Sequence, residues 1–327
     1  MIDEVLSRLE ESIEQLNVEI DQSPKLSPNP AKQQRRKLRT SVNQLKKRKI
    51  KLSEHKGQMA VFGNRNSYSK TDHDATFMRV KEDPMQNGQL KPAYNVQIAT
   101  NNQFITGFGI FQNPTDTRTF IPFITQLNSR NYLGKYVVAD AGYGSEPNYK
   151  FVEDELSDCE SLIPYGTMLR EKSRKWQSDD RKVMNWNYVE NDDYYIDPKG
   201  VRFHFWRYSK RTDKYGNVRH FKVYRAEVLD NNQNKISEAL TPHGAPRYIT
   251  VNGEWEYHKA RTRNKLSSKK TGDIYKRRKI DVEPVFGRMK AFLGFNRFSL
   301  RSLNKVRKEF GIVVMALNMN KLVTLRS

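Results

Sequence analysis

Ile2, Val5, Leu9, Ile13, Leu16 and Ile20 recur at steps of three and four, the spacing of one helical face. Pro24, Pro28 and Pro30 interrupt that rhythm, and Leu38, Val42, Leu45 and Leu52 resume it. Two helical arms over residues 1–56 are predicted. Beyond a polar, turn-rich stretch the period shortens. Tyr94, Val96 and Ile98 alternate with Asn95, Gln97 and Ala99, which predicts a strand. Asn101 and Asn102 tolerate positive φ, and residues 104–111 supply the return strand of a hairpin. Phe120, Phe123, Ile124 and Leu127 predict a helix that Thr115 or Asp116 can cap. Tyr136-Val137-Val138-Ala139 is an apolar strand running into Asp140-Ala141-Gly142-Tyr143-Gly144-Ser145. A helix over 146–156 and a strand over 161–163 follow. This order of strands and helices predicts an α/β sheet with helices on its faces. Residues 166–265 read as mainly β, with short aromatic strands over 194–196, 201–206 and 218–224. Helices over 275–293 and 305–325 close the chain. Four stretches result: 1–56, 57–165, 166–265 and 266–327.

Charge changes the picture next. The 327 residues hold 58 Lys and Arg against 37 Asp and Glu, a net charge of +21. Such an excess suits a polyanion, because phosphates attract clustered cations and release counterions on binding. An acidic membrane surface would attract it too, but the longest apolar run, residues 311–317, is far short of a span. Residues 1–21 carry seven acids and one base, residues 31–56 eleven bases and one acid. The arms therefore attract one another, and the second offers a basic face that either grips DNA phosphates or is simply solvated. Cys159 is the only cysteine, which excludes a disulfide framework and a thiolate metal cluster. The six histidines show no metal-ligand spacing, and no Gly-rich phosphate loop or nucleophilic Ser or Cys motif is present. Trp176, Trp186, Trp206 and Trp255 lie near basic residues, where stacking on bases competes with ordinary packing.

Two carboxylates carry the candidate chemistry. Asp140 ends a buried strand and is followed by small residues, the place where an open α/β sheet sets its active site. Glu283 lies in the second-last predicted helix. At about 100° per residue, Tyr275, Lys279, Glu283 and Lys290 share one face of it. Two acids in a basic protein repel DNA unless they hold a cation such as Mg²⁺ that bridges to phosphate oxygens.

Asp140-Ala-Gly-Tyr-Gly, and a Tyr275…Glu283…Lys290 helix after a β-rich insertion, resemble the DDE transposases of bacterial insertion sequences, in the IS-four superfamily. The resemblance spans about residues 65–325 and rests on 71–83, 90–100, 113–123, 137–145 and 274–300. It implies an RNase H-like core split by a mainly β insertion, with the helical hairpin in front. It further implies strand cleavage and transfer at transposon ends through two Mg²⁺ ions, for which Mn²⁺ can substitute. Asp140 and Glu283 become the metal ligands, and Tyr275, Lys290 and either Arg278 or Lys279 become DNA contacts. The choice stays open because four residues separate Arg278 from Glu283 where the family signature has three. The implied partners are double-stranded DNA, as transposon ends and target, and a second copy of the chain; the implied location is the bacterial cytoplasm, at the nucleoid.

The family's first acid usually closes the first core strand in an Asp-Gly-Thr. Here Asp74-Ala75-Thr76 is the candidate within the chain, behind a polar segment, residues 64–70, unsuited to a buried strand. The sequence favours instead a first strand encoded upstream of Met1, which would make this an amino-truncated transposase. Its alternative role is then a non-catalytic DNA-binding fragment able to inhibit the full-length enzyme.

Overall fold

The computed structural model describes residues 2–22, 27–79, 87–230 and 232–326; Pro24 of the predicted interruption lies outside them. Two compact units divide between Pro92 and Ala93. In the first, α1 (Ile2–Gln22) and α2 (Pro30–Phe62) form the predicted hairpin. Asn29 caps α2 by accepting from Lys32 N at 3.2 Å, and Pro30 sits in the first turn, where no N–H is needed. Leu16, Ile20 and Ala31 bury the seam, with Leu38 against them. Lys46 meets Glu10 at 2.7 Å, Lys49 meets Asp3, and Arg35 donates to Asn17 at 2.9 Å. The arms are therefore antiparallel and joined by opposite charge. β1 (Thr76–Arg79) and β2 (Leu90–Ala93) pair beyond them.

The second unit opens with β3 (Asn95–Asn101) and β4 (Phe104–Phe111), an antiparallel hairpin. Its positive-φ residues are Asn102 and Gln103 (φ 52° and 67°), one position later than the sequence suggests. Next come α3 (Asp116–Asn128), β5 (Tyr136–Val138), α4 (Glu146–Glu155) and β6 (Glu160–Leu162). β5 and β6 are parallel, with Val137 opposite Ser161. Phe120, Phe123, Ile124 and Leu127 of α3 pack on Val137, Tyr149, Val152 and Ile163, so the faces expected of α3 and β5 are the buried ones. One expectation needs correction. β3–β4 and β5–β6 are separate hydrogen-bonded pairs rather than one sheet among the described residues. Side chains, not a backbone ladder, connect β3 to the end of β5.

Two short helices, α5 (Met168–Glu171) and α6 (Arg174–Gln177), lead into the insertion. Its strands β7 (Asn187–Val189), β8 (Tyr194–Ile196), β9 (Arg202–Thr212), β10 (Val218–Ala226) and β11 (Tyr248–Val251) form an antiparallel sheet ordered β11-β10-β9-β8-β7. Trp186, Val201, Phe203, Tyr224, Ala226 and Ala239 give it its own core. The mainly β reading fails after residue 252. There α7 (Gly253–Ser267) forms because the Asn252 side chain accepts from Trp255 N at 3.0 Å and caps it. α7 is tied to the start of the insertion at Glu171, which accepts from Tyr165 and Thr167 and pairs with Arg263 at 3.3 Å and Lys259 at 3.9 Å.

α8 (Lys269–Asp281), α9 (Glu283–Gly287) and α10 (Leu303–Arg326) finish the chain. Val285, Met289, Val306, Phe310 and Leu317 pack on Ile105 and Ile110, fixing α9 and α10 against the β3–β4 hairpin.

Candidate active site

Asp140 stands where the sequence places it, one residue past Ala139 at the carboxyl end of β5. Its Oδ1 accepts from Gly142 N at 2.9 Å and caps a 3-10 turn, Ala141–Tyr143. Asn148 of α4 donates to Tyr143 O at 2.8 Å and Thr117 O at 3.0 Å, holding the turn against α3.

A second carboxylate enters from α3. Asp116 does not cap its helix with its side chain. Its Oδ1 instead accepts from Asn95 at 2.9 Å and from buried Gln97 at 3.1 Å. Gln97 also donates to Asn95 Oδ1 at 2.6 Å and accepts from the Tyr143 hydroxyl. With Oδ1 engaged, Oδ2 is directed to Gly142. A Cβ at Gly142 would stand 3.3 Å from Asp116 Oδ2 and 2.9 Å from Asp140 Oδ1. Two acids thus face one small space, which a side chain at position 142 would share with them. Burial pushes the Tyr143 hydroxyl well above the usual tyrosine range, and the Asp116 and Asp140 charges push the same way; Gln97 and Arg278 oppose them. Tyr143 is where the fields of α3, β5 and α8 meet.

Glu283 lies on a different helix from Tyr275, which corrects the single helix over 275–293 and its shared face. Pro284 has no N–H, so α8 ends at Asp281 and α9 begins beyond Val282. A π turn, Arg288–Phe292, then shifts Lys290 away from the register of a regular helix. The extra residue between Arg278 and Glu283 falls at this break. Arg278 consequently reaches Glu283, Nη2 to Oε1 at 3.8 Å, while Lys279 is exposed. Glu283 keeps 60% of its side chain in solvent. Tyr275 is half-buried and Lys290 exposed.

Asp281 is a residue the sequence reading passed over. It accepts from Thr100 Oγ1 at 2.7 Å and from Gln103 N, fastening the end of α8 to the β3–β4 turn. Arg288 and Lys321 hold Gln103 Oε1 at 3.0 and 3.1 Å, so one turn anchors α8, the π turn and α10. Asp74 sits in the first unit, where its backbone N–H donates to Asp72 Oδ1 at 3.2 Å and it precedes β1. It opens a strand rather than closing one.

Carboxylate oxygens suit a hard divalent cation. Mg²⁺ commonly takes one or two protein carboxylates and completes its shell with water and phosphate oxygens. Asp140 with Asp116 fits that partial shell, although no group of three His, Cys, Asp or Glu among the described residues makes a metal site.

Together these elements define a mixed α/β protein with two acids, Asp140 and Asp116, meeting beside the turn at the end of β5. Comparison with protein families matches residues 65–319 to the Transposase DDE domain, and the chain belongs to that family. No match was found among curated proteins or among solved structures. The α1–α2 hairpin lies outside the matched residues. No helix among the described residues is long and apolar enough to cross a membrane.

Proposed function

We propose that the chain carries the RNase H-like catalytic core of an insertion-sequence transposase and acts on DNA at transposon ends. The observation that carries this is the approach of Asp140 Oδ1 and Asp116 Oδ2 to the same side of Gly142, in a chain that matches the Transposase DDE domain. Asp140 and Asp116 would offer a first pair of oxygens to Mg²⁺, which when bound would polarise a phosphodiester and lower the pKa of an attacking water or 3′-hydroxyl, and Glu283 is the further ligand that the family resemblance implies. The chain's own groups do the rest. Asn95 and Gln97 fix Asp116 so that one oxygen stays turned to the site. Arg278 offsets the repulsion between the acids and an approaching phosphate. Lys279 and Lys290, both exposed, contact the backbone, and Tyr275 orients the strand. Two copies of the chain would act together on paired DNA ends, at the nucleoid in the bacterial cytoplasm.

Asp74 opening β1 favours a second reading, in which a first acid is supplied from outside these residues and the chain alone binds DNA without cutting it. A labelled duplex bearing the element's end, incubated with the chain in Mg²⁺ or Mn²⁺, separates the two. Cleavage that falls on the order of 10³-fold or more in Asp140→Ala and Glu283→Ala supports catalysis. End-specific binding with no cleavage supports the inhibitor. Neither binding nor cleavage overturns both.

A further inference from the structure

The β9–β10 ribbon has no role in the site, yet it concentrates cations and rings. Residues 202–225 hold eight Lys or Arg and one acid, Asp213. Lys222 pairs with Asp193 at 3.0 Å and Arg219 with Glu146 at 3.8 Å. Arg207, Lys210, Arg211 and Lys214 have no carboxylate partner among the described residues. β8 pairs with β9 only through residues 202–204, so beyond His204 that edge of β9 is open. There Trp206 is 45% and Tyr208 73% exposed. Arg207 lies over the Trp206 ring at 4.5 Å and Arg211 over Phe221 at 4.9 Å.

The register makes this arrangement uncomfortable on its own. Arg211 stands directly opposite Arg219. Like charges across a ladder destabilise it. An ordinary solvated strand would intersperse acids and would not leave Trp and Tyr uncovered. A polyanion relieves the repulsion and covers the rings.

The ribbon's turn is fixed near the acids. Arg118, two residues after Asp116, lies over the Tyr215 ring at 3.8 Å, and Arg219 reaches Glu146 at the start of α4. From Arg211 to Arg207 the strand runs about 14 Å, or about four base-pair steps along a duplex. We propose that the β9–β10 ribbon binds the DNA backbone flanking the position held at Asp140 and Asp116. This rests on the DNA-processing reading above.

The test measures binding, not cleavage. Fluorescence anisotropy with a labelled 30-base-pair duplex, across a salt series, compares the full chain with Arg207→Gln/Lys210→Gln/Arg211→Gln. All three side chains are exposed, and far-UV circular dichroism checks that the variant is folded. The expected result is at least a tenfold loss of affinity at about 0.1 M salt, with a log K against log salt slope shallower by roughly two to three. Equal slopes and affinities within twofold would overturn the ribbon while leaving the DNA reading intact. A full chain with no affinity for the duplex would overturn both.

Discussion

A methyl group on Gly142 would lie 2.9 Å from Asp140 Oδ1 and 3.3 Å from Asp116 Oδ2, so its space belongs to the two carboxylates. Gly142→Ala should therefore separate stability from the site. The neighbours are side-chain tips that can move, and the expected loss of stability is about 1 kcal/mol or less. Calorimetric titration with Mn²⁺ should show at least tenfold weaker binding; unchanged affinity would detach Gly142 from the site. Tyr143→Phe acts through a different bond. It leaves the Oε1 of buried Gln97 without its hydroxyl donor, at a cost of about 1–3 kcal/mol in urea unfolding. Asp140 was legible because an apolar run ending in an acid and small residues is a local pattern. Asp116 was not. Read alone it is one more helix-start acid, and only the folded neighbours Asn95 and Gln97, about twenty positions upstream, turn its carboxylate inward.

Elements with strong periodicity were readable: the α1–α2 hairpin, β3–β4, α3, β5 and α4 all lie close to where the hydrophobic pattern puts them. Those set by polar contacts were not. α7 has no apolar stripe to announce it and depends on Asn252 and on the Glu171 cluster. The break between α8 and α9 was written in Pro284, but a helical wheel drawn through it placed Tyr275 and Glu283 on one face. Asp281 fastens that break to the β3–β4 turn. Asp281→Ala removes the acceptor for Thr100 and Gln103 and should cost about 1–3 kcal/mol, read as a lower urea midpoint at unchanged slope. Glu171 offers a pH test. Burial pushes its carboxyl up, but hydrogen bonds from Tyr165 and Thr167 and the charges of Lys259 and Arg263 hold it below the usual range. Its stabilisation is thus full above the unfolded carboxylate value near 4.5 and disappears as pH falls through the lower folded value. Glu171→Gln should be less stable at pH 7, read as a lower urea midpoint, with the gap narrowing in acid. A gap that stays constant with pH would show that its charge contributes nothing.

For the whole molecule, the +21 charge is divided among parts with different duties. Some of it is internally answered, as where α1 neutralises α2 at Lys46 and Lys49. Some of it, in the ribbon and beside Glu283, faces outward. Composition showed the excess but could not show which cations are spent within the fold, since Lys46 and Lys210 look alike in a sequence.

The groups whose fields meet at Tyr143 come from positions 97, 116, 140 and 278. A ribosome delivers three of them within a short span and the fourth only after the insertion and α7 have been made. Throughout that interval a nascent chain holds its acids without the arginine that opposes them at Tyr143 or the glutamate paired with it. Translation itself therefore keeps the site incomplete until almost the whole polypeptide exists, and a chain interrupted in the insertion is left with half a centre.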